Sequence, residues 1–94
     1  MPKFDVAHIR EQGVDLIIIP LDNSFRLKTQ HDQDAIIADL QMRASSAGLA
    51  GTVVPVWDGG GGRMAFKAPP NWHSFFKSID LSFVAANINR DLHW

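Results

Sequence analysis

The sequence predicts an α+β domain with the element order β-α-β-β-α-β behind a short N-terminal helix. Val14-Asp15-Leu16-Ile17-Ile18-Ile19-Pro20-Leu21 is the most apolar run and is rich in β-branched isoleucine. That composition favours a strand packed on both sides over a helix. Ile36, Ile37, Leu40, Ala44 and Ala47 recur at helical spacing and make one apolar face. Thr52–Trp57 and Met64–Ala68 flank a glycine loop, the pattern of a β-hairpin.

Taken in order, Phe4 to Gln12 reads as the short helix, with Val6 and Ile9 as its stripe and Gly13 as the left-handed residue after it. The strand Val14–Leu21 follows, and Pro20 limits its pairing because it lacks an N–H. Asp22-Asn23-Ser24 is turn chemistry, and Phe25-Arg26-Leu27-Lys28 a short extended piece. Thr29 or Asp32 caps the long helix, which Gly48 ends; Asp39 and Arg43, four apart, form a surface pair. Pro55 cannot donate to a ladder, so the strand Thr52–Trp57 is expected at a sheet edge. Pro69-Pro70-Asn71 starts a second short helix whose inner face is Trp72, Phe75, Phe76 and Ile79. Leu81–Ile88 reads as a fourth strand. Residues 1–94 thus form a single domain: lead-in 1–13, core 14–88 and tail 89–94.

This element order resembles the split βαβ plan of ferredoxin-like domains, in which the first strand is central and the second is an edge. The resemblance is one of order and not of motifs. A mixed-sheet α/β domain of different strand order is the alternative.

Composition narrows the classes. Net charge is −1, without a basic stripe, so nucleic-acid binding is not expected. The sequence holds no cysteine, which removes thiol chemistry and disulfides. The N-terminus Met1-Pro2-Lys3-Phe4-Asp5 lacks the apolar core of a signal peptide and the longest apolar run is too short for a membrane span, so a cytoplasmic protein is expected.

The strands carry more apolar surface than helices on one face can cover. Ile17, Ile19 and Leu21 oppose Leu16 and Ile18; Val54 and Val56 oppose Val53 and Trp57. Cover can come from the N-terminal helix with the tail Leu92-His93-Trp94, or from a second copy of the chain. The interface expected for a homodimer comprises Leu16, Ile18, Val54, Pro55, Val56, Trp57 and Trp94.

Motifs of catalysis are missing. Gly59 to Gly62 precede a strand, whereas phosphate loops open a helix, so they read as a flexible hairpin connection. His8, His31, His73 and His93 lack the spacing of a metal site, and no metal or organic cofactor is expected. No Gly-x-Ser-x-Gly elbow occurs. Nine of the ten acidic residues are Asp, which serves turns and caps as often as catalysis.

In the split plan one end of the sheet gathers Asp22, Asn23, Ser24, Arg26, Asp58, Arg63 and Asp80. Convergent polar loops of both charge signs suit a small polar ligand. The expected function is a homodimeric binding or accessory module acting through protein–protein association, with a further protein partner open. The alternative is a ligand-binding or enzymatic domain with Asp22 as base or acceptor and Arg26 or Arg63 as anion partner.

Overall fold

The computed structural model describes residues 3–60 and 63–93. The chain is an α+β domain on a five-stranded mixed sheet. Its elements are β1 (Lys3–Glu11), β2 (Val14–Pro20), α1 (Gln30–Ser46), β3 (Thr52–Asp58), β4 (Met64–Phe66), α2 (His73–Lys77), α3 (Leu81–Ala86) and β5 (Arg90–His93). The strands lie in the order β4-β3-β2-β1-β5. β2 and β3 are parallel neighbours joined through α1, and the other pairs are antiparallel. This departs from the split plan, in which another strand would separate these two. No helix among the described residues is long and apolar enough to cross a membrane.

Residues 3–11 are a strand, not the expected helix. Phe4 and Val6 turn to the α1 face while Ala7 and Ile9 turn to the other, a period of two. Gln12 and Gly13 both have positive φ, 52° and 78°, and join Glu11 to Val14. A two-residue hairpin turn of this kind requires positive φ at both positions. Gly13 signals a left-handed residue in either reading, so the glycine alone does not separate helix end from hairpin. Pro20 has no N–H to offer β1, and the β1–β2 ladder stops at Ala7 opposite Ile18. Beyond that point β1 pairs with β5, which lies in the expected tail.

Leu81–Ala86 is a helix rather than the fourth strand. Asp80 caps it, its Oδ1 accepting the Phe83 N–H at 2.9 Å. Leu81, Val84 and Ile88 face the core at helical spacing, leaving Phe83 outward. The long helix forms as expected: Thr29 caps α1, accepting from the Asp32 N–H at 3.1 Å, and Leu40 and Ala44 are buried. Ala47 is exposed. Asn23–Leu27 is a 3₁₀ turn instead of an extended piece. Pro70–Trp72 is another, leading into α2.

Both sheet faces are covered by this one chain. Ile17, Ile19, Val53, Val6 and Leu92 pack on Leu40 and Ala44 of α1. Leu16, Ile18, Val54, Val56 and Ala7 pack on Trp72, Phe76 and Val84 from the short helices. Leu16 to Ile19 have no exposed surface at all. Burying each such side chain stabilises by about 1.5–3 kcal/mol, so neither cover is dispensable. The expected surplus therefore exists, but its cover is the segment 70–88, in which Leu81–Ala86 is a helix and not a strand of the sheet.

Pro55 does not mark an edge strand, because β3 lies between β4 and β2. Its effect is local. The Pro55 carbonyl accepts the Lys67 N–H at 3.1 Å, but no N–H returns the bond, and β4 ends opposite Val56. The outer edge of β3 before Pro55 is served by a side chain. The Gln41 amide donates to the Gly51 carbonyl at 3.0 Å and accepts the Val53 N–H at 2.9 Å. Asn89 does the same for β1 at the far edge, accepting the His8 N–H and donating to the His8 carbonyl, both at 2.9 Å. Each amide stands in for a residue of an added strand and leaves less of the edge open to another chain.

Replacing Gln41 by Leu removes both bonds without losing bulk. Urea unfolding is expected to show a loss of about 1–2 kcal/mol, with faster amide exchange at Val53. Unchanged exchange at Val53 would mean that the amide does not serve the edge.

Candidate functional site

Of the seven polar residues expected at one end of the sheet, six fall into two groups on opposite faces, and Asp58 ends β3 at the glycine loop. Asp22, Asn23, Ser24 and Arg26 belong to the 3₁₀ turn after β2 and its cap. That turn lies on the α1 side, where buried Phe25 meets Trp57 edge-on with ring centroids 5.0 Å apart. Gln33 of α1 fixes it further, donating to the Phe25 carbonyl at 3.0 Å. Arg63 and Asp80 lie on the other face, around a cleft with Phe76 in its floor.

Three of the carboxylates are held in their own turns. Asp22 Oδ1 accepts the Ser24 N–H at 3.2 Å and Asp58 Oδ1 the Gly60 N–H at 2.8 Å. Asp80 caps α3 in the same manner. These are the local bonds that make Asp a turn and cap residue. Each is directed along its own backbone rather than toward a shared point.

The interface residues also have defined places. Leu16, Ile18, Val54, Pro55 and Val56 are fully buried, and Trp57 is nearly so. Their side chains pack in the interior of this chain. Trp94 lies outside the described residues.

Two concave regions lie among the described residues. The first is the cleft between β4 and the α2–α3 connection, about 390 Å³, lined by Arg63, Met64, Phe66, Phe76, Lys77, Ile79 and Asp80. Met64, Phe66 and Ile79 are half-buried in its floor, whereas Arg63, Lys77 and Asp80 are exposed at its mouth. The second is a groove of about 460 Å³ between α1 and the edge of β3 that β4 leaves uncovered. Ile37, Ala38, Val53, Ala68 and Pro69 give it an apolar lining, with Gln41 in its wall. At one end Lys67 reaches across to α1, its Nζ 2.8 Å from Asp34 Oδ1 and donating to Gln33 Oε1 at 3.3 Å.

Histidine chemistry is structural where the side chains have partners. His8 Nε2–H donates to the Ala50 carbonyl at 2.8 Å, and His73 Nε2–H to the Ala68 carbonyl at 2.9 Å. A carbonyl only accepts, so the proton sits on Nε2 in both. His31 is exposed in the first turn of α1. Among the described residues no group of three or more His, Asp or Glu side chains could hold a metal ion.

Sequence reasoning missed Lys77, Gln41 and Lys67. Lys77 follows the aromatic run of α2, and nothing in a single sequence says which sheet face that run will cover. Gln41 carried a faint signal, being next on the helix to the apolar face at Ile37 and Leu40. The chain matches no protein-family model, no curated protein and no solved structure with which it was compared.

Because Asp80 caps α3, Asp80→Ala is expected to cost about 1 kcal/mol in thermal unfolding and Asp80→Ser only a few tenths. Equal losses for the two would contradict the capping role.

Proposed function

We propose that this chain is a small binding module that works by pairing with a second copy of itself through the α1–β3 groove. The observation that carries the reading is an apolar surface that continues from the groove onto the outer face of α1. Ala35, Ala38, Met42 and Ser45 are exposed there at helical spacing, and Met42 keeps 58% of its surface in solvent. A solvent face of a helix is ordinarily charged. Here the stripe itself is uncharged, with Asp32 and Asp34 in the first turns and the Asp39–Arg43 ion pair on its flank.

A second copy suits this surface on three grounds. Small residues at 35 and 38 let another helix approach closely, and Met42 is a flexible side chain able to fill an irregular apolar groove. In a two-fold contact the Met42 of each copy enters the groove of the other, so one patch supplies both knob and hole. Net charge of −1 leaves little repulsion between copies. Catalysis by the loop carboxylates is not part of the proposal, since Asp22, Asp58 and Asp80 serve their own turns.

Light scattering and sedimentation over micromolar concentrations test the pairing. A dimer is expected for the wild-type chain, and Met42→Lys or Ala38→Arg should weaken it by at least about tenfold without unfolding, because both sites are exposed. A strict monomer for the wild-type chain, or a dimer insensitive to both substitutions, would overturn the proposal. A different protein seated in the same groove would also overturn it in favour of a heterologous partner.

A further inference from the structure

We infer that the cleft between β4 and the α2–α3 connection is a binding site for a small organic carboxylate with an apolar body. It lies across the sheet from the groove proposed for pairing and is independent of it. Its volume of about 390 Å³ falls in the range of small-molecule sites. Half-buried Phe66, backed by the buried Phe76 with ring centroids 5.4 Å apart, makes the floor, extended by Met64 and Ile79. An apolar body resting on that floor exchanges water for half-buried carbon surface.

The charges at the mouth select the head group. Arg63 and Lys77 line it, and neither takes part in an ion pair among the described residues. The neighbouring acid, Asp80, is already tied to the Phe83 N–H. Two uncommitted cations against one occupied carboxylate leave an excess of positive charge above an apolar floor. Arg63 offers a planar fork that matches a carboxylate, and Lys77 a mobile point charge. The other basic side chain resolved beside a concave region, Lys67, is instead spent on Asp34 and Gln33. Asp22 and Arg26, expected beside Arg63, lie on the opposite face, and Lys77 stands with Arg63 instead.

Octanoate is the probe, with octanol as its uncharged counterpart and inorganic phosphate as a head group without a body. Titrations followed by the methyl signals of Met64 and Ile79 should show saturable shifts with octanoate. Its affinity should exceed that of octanol and of phosphate by about tenfold. Raising the salt from about 0.05 to 0.5 M should erode the advantage over octanol, since exposed cations are screened. Arg63→Gln with Lys77→Gln should abolish that advantage, and Lys77→Arg should keep it. Both positions are exposed, and unchanged methyl signals from the buried Val54 and Val84 report that the variants fold. Octanol binding as tightly as octanoate, a double variant that binds like the wild type, or no saturable shift up to about 10 mM octanoate would each overturn the assignment.

Discussion

Four consecutive residues, Leu16 to Ile19, are completely buried, two on each side of the central strand. A strand of this kind must be sandwiched, because either face left open would expose contiguous hydrocarbon. The rest of the chain can be understood as the means of sandwiching it. The helix α1 needs only Leu40 and Ala44 at its closest approach to cover one side. The other side is closed by aromatic bulk, Trp72 and Phe76, carried on turns too short to be stable alone. Those turns hold their shape because they pack on β2 and β3 and because Pro70 and Asp80 start them.

The same constraint decides where function can lie. With both faces packed, the described residues leave the sheet edges, the outer sides of the helices and the gaps between the short helices and β4. The edges are short and partly served from within. Gln41 and Asn89 lend side-chain amides where β4 and β5 run out. What remains is a groove beside the first amide and a cleft under the aromatic turns. They differ in chemistry: an apolar lining that suits another protein surface, and a cationic mouth over an aromatic floor that suits a small anion.

The central strand, the long helix with its Thr29 cap, and the β3–β4 hairpin were legible because each carries a strong local pattern. The first strand was not, since Val6 and Ile9 fit a helical period as readily as Phe4 and Val6 fit a strand. Long-range pairing with β2 decided between them. Leu81–Ala86 looked like a strand through Phe83 and Val84, although Asp80 three residues before Phe83 is an N-cap signal that argues for the helix. β5 offered one apolar residue, Leu92, and no periodicity at all. The strand order followed from the same errors, since a sheet with one strand misplaced at each end takes the wrong plan. Of the candidate site, Arg63 and Asp80 were brought together and Asp22 and Arg26 were not. Facing is set by packing that no local pattern records.

Native-state hydrogen exchange of β2, measured at several protein concentrations, tests most directly that the chain covers its own central strand. The amides of Ile17, Ile18 and Ile19 should be among the slowest and should exchange only with global unfolding. Their protection should persist on dilution below any dimer dissociation constant. Loss of that protection on dilution, or early exchange of β2 with the segment 70–88 detached, would mean that the second face is closed by another molecule and not by this chain.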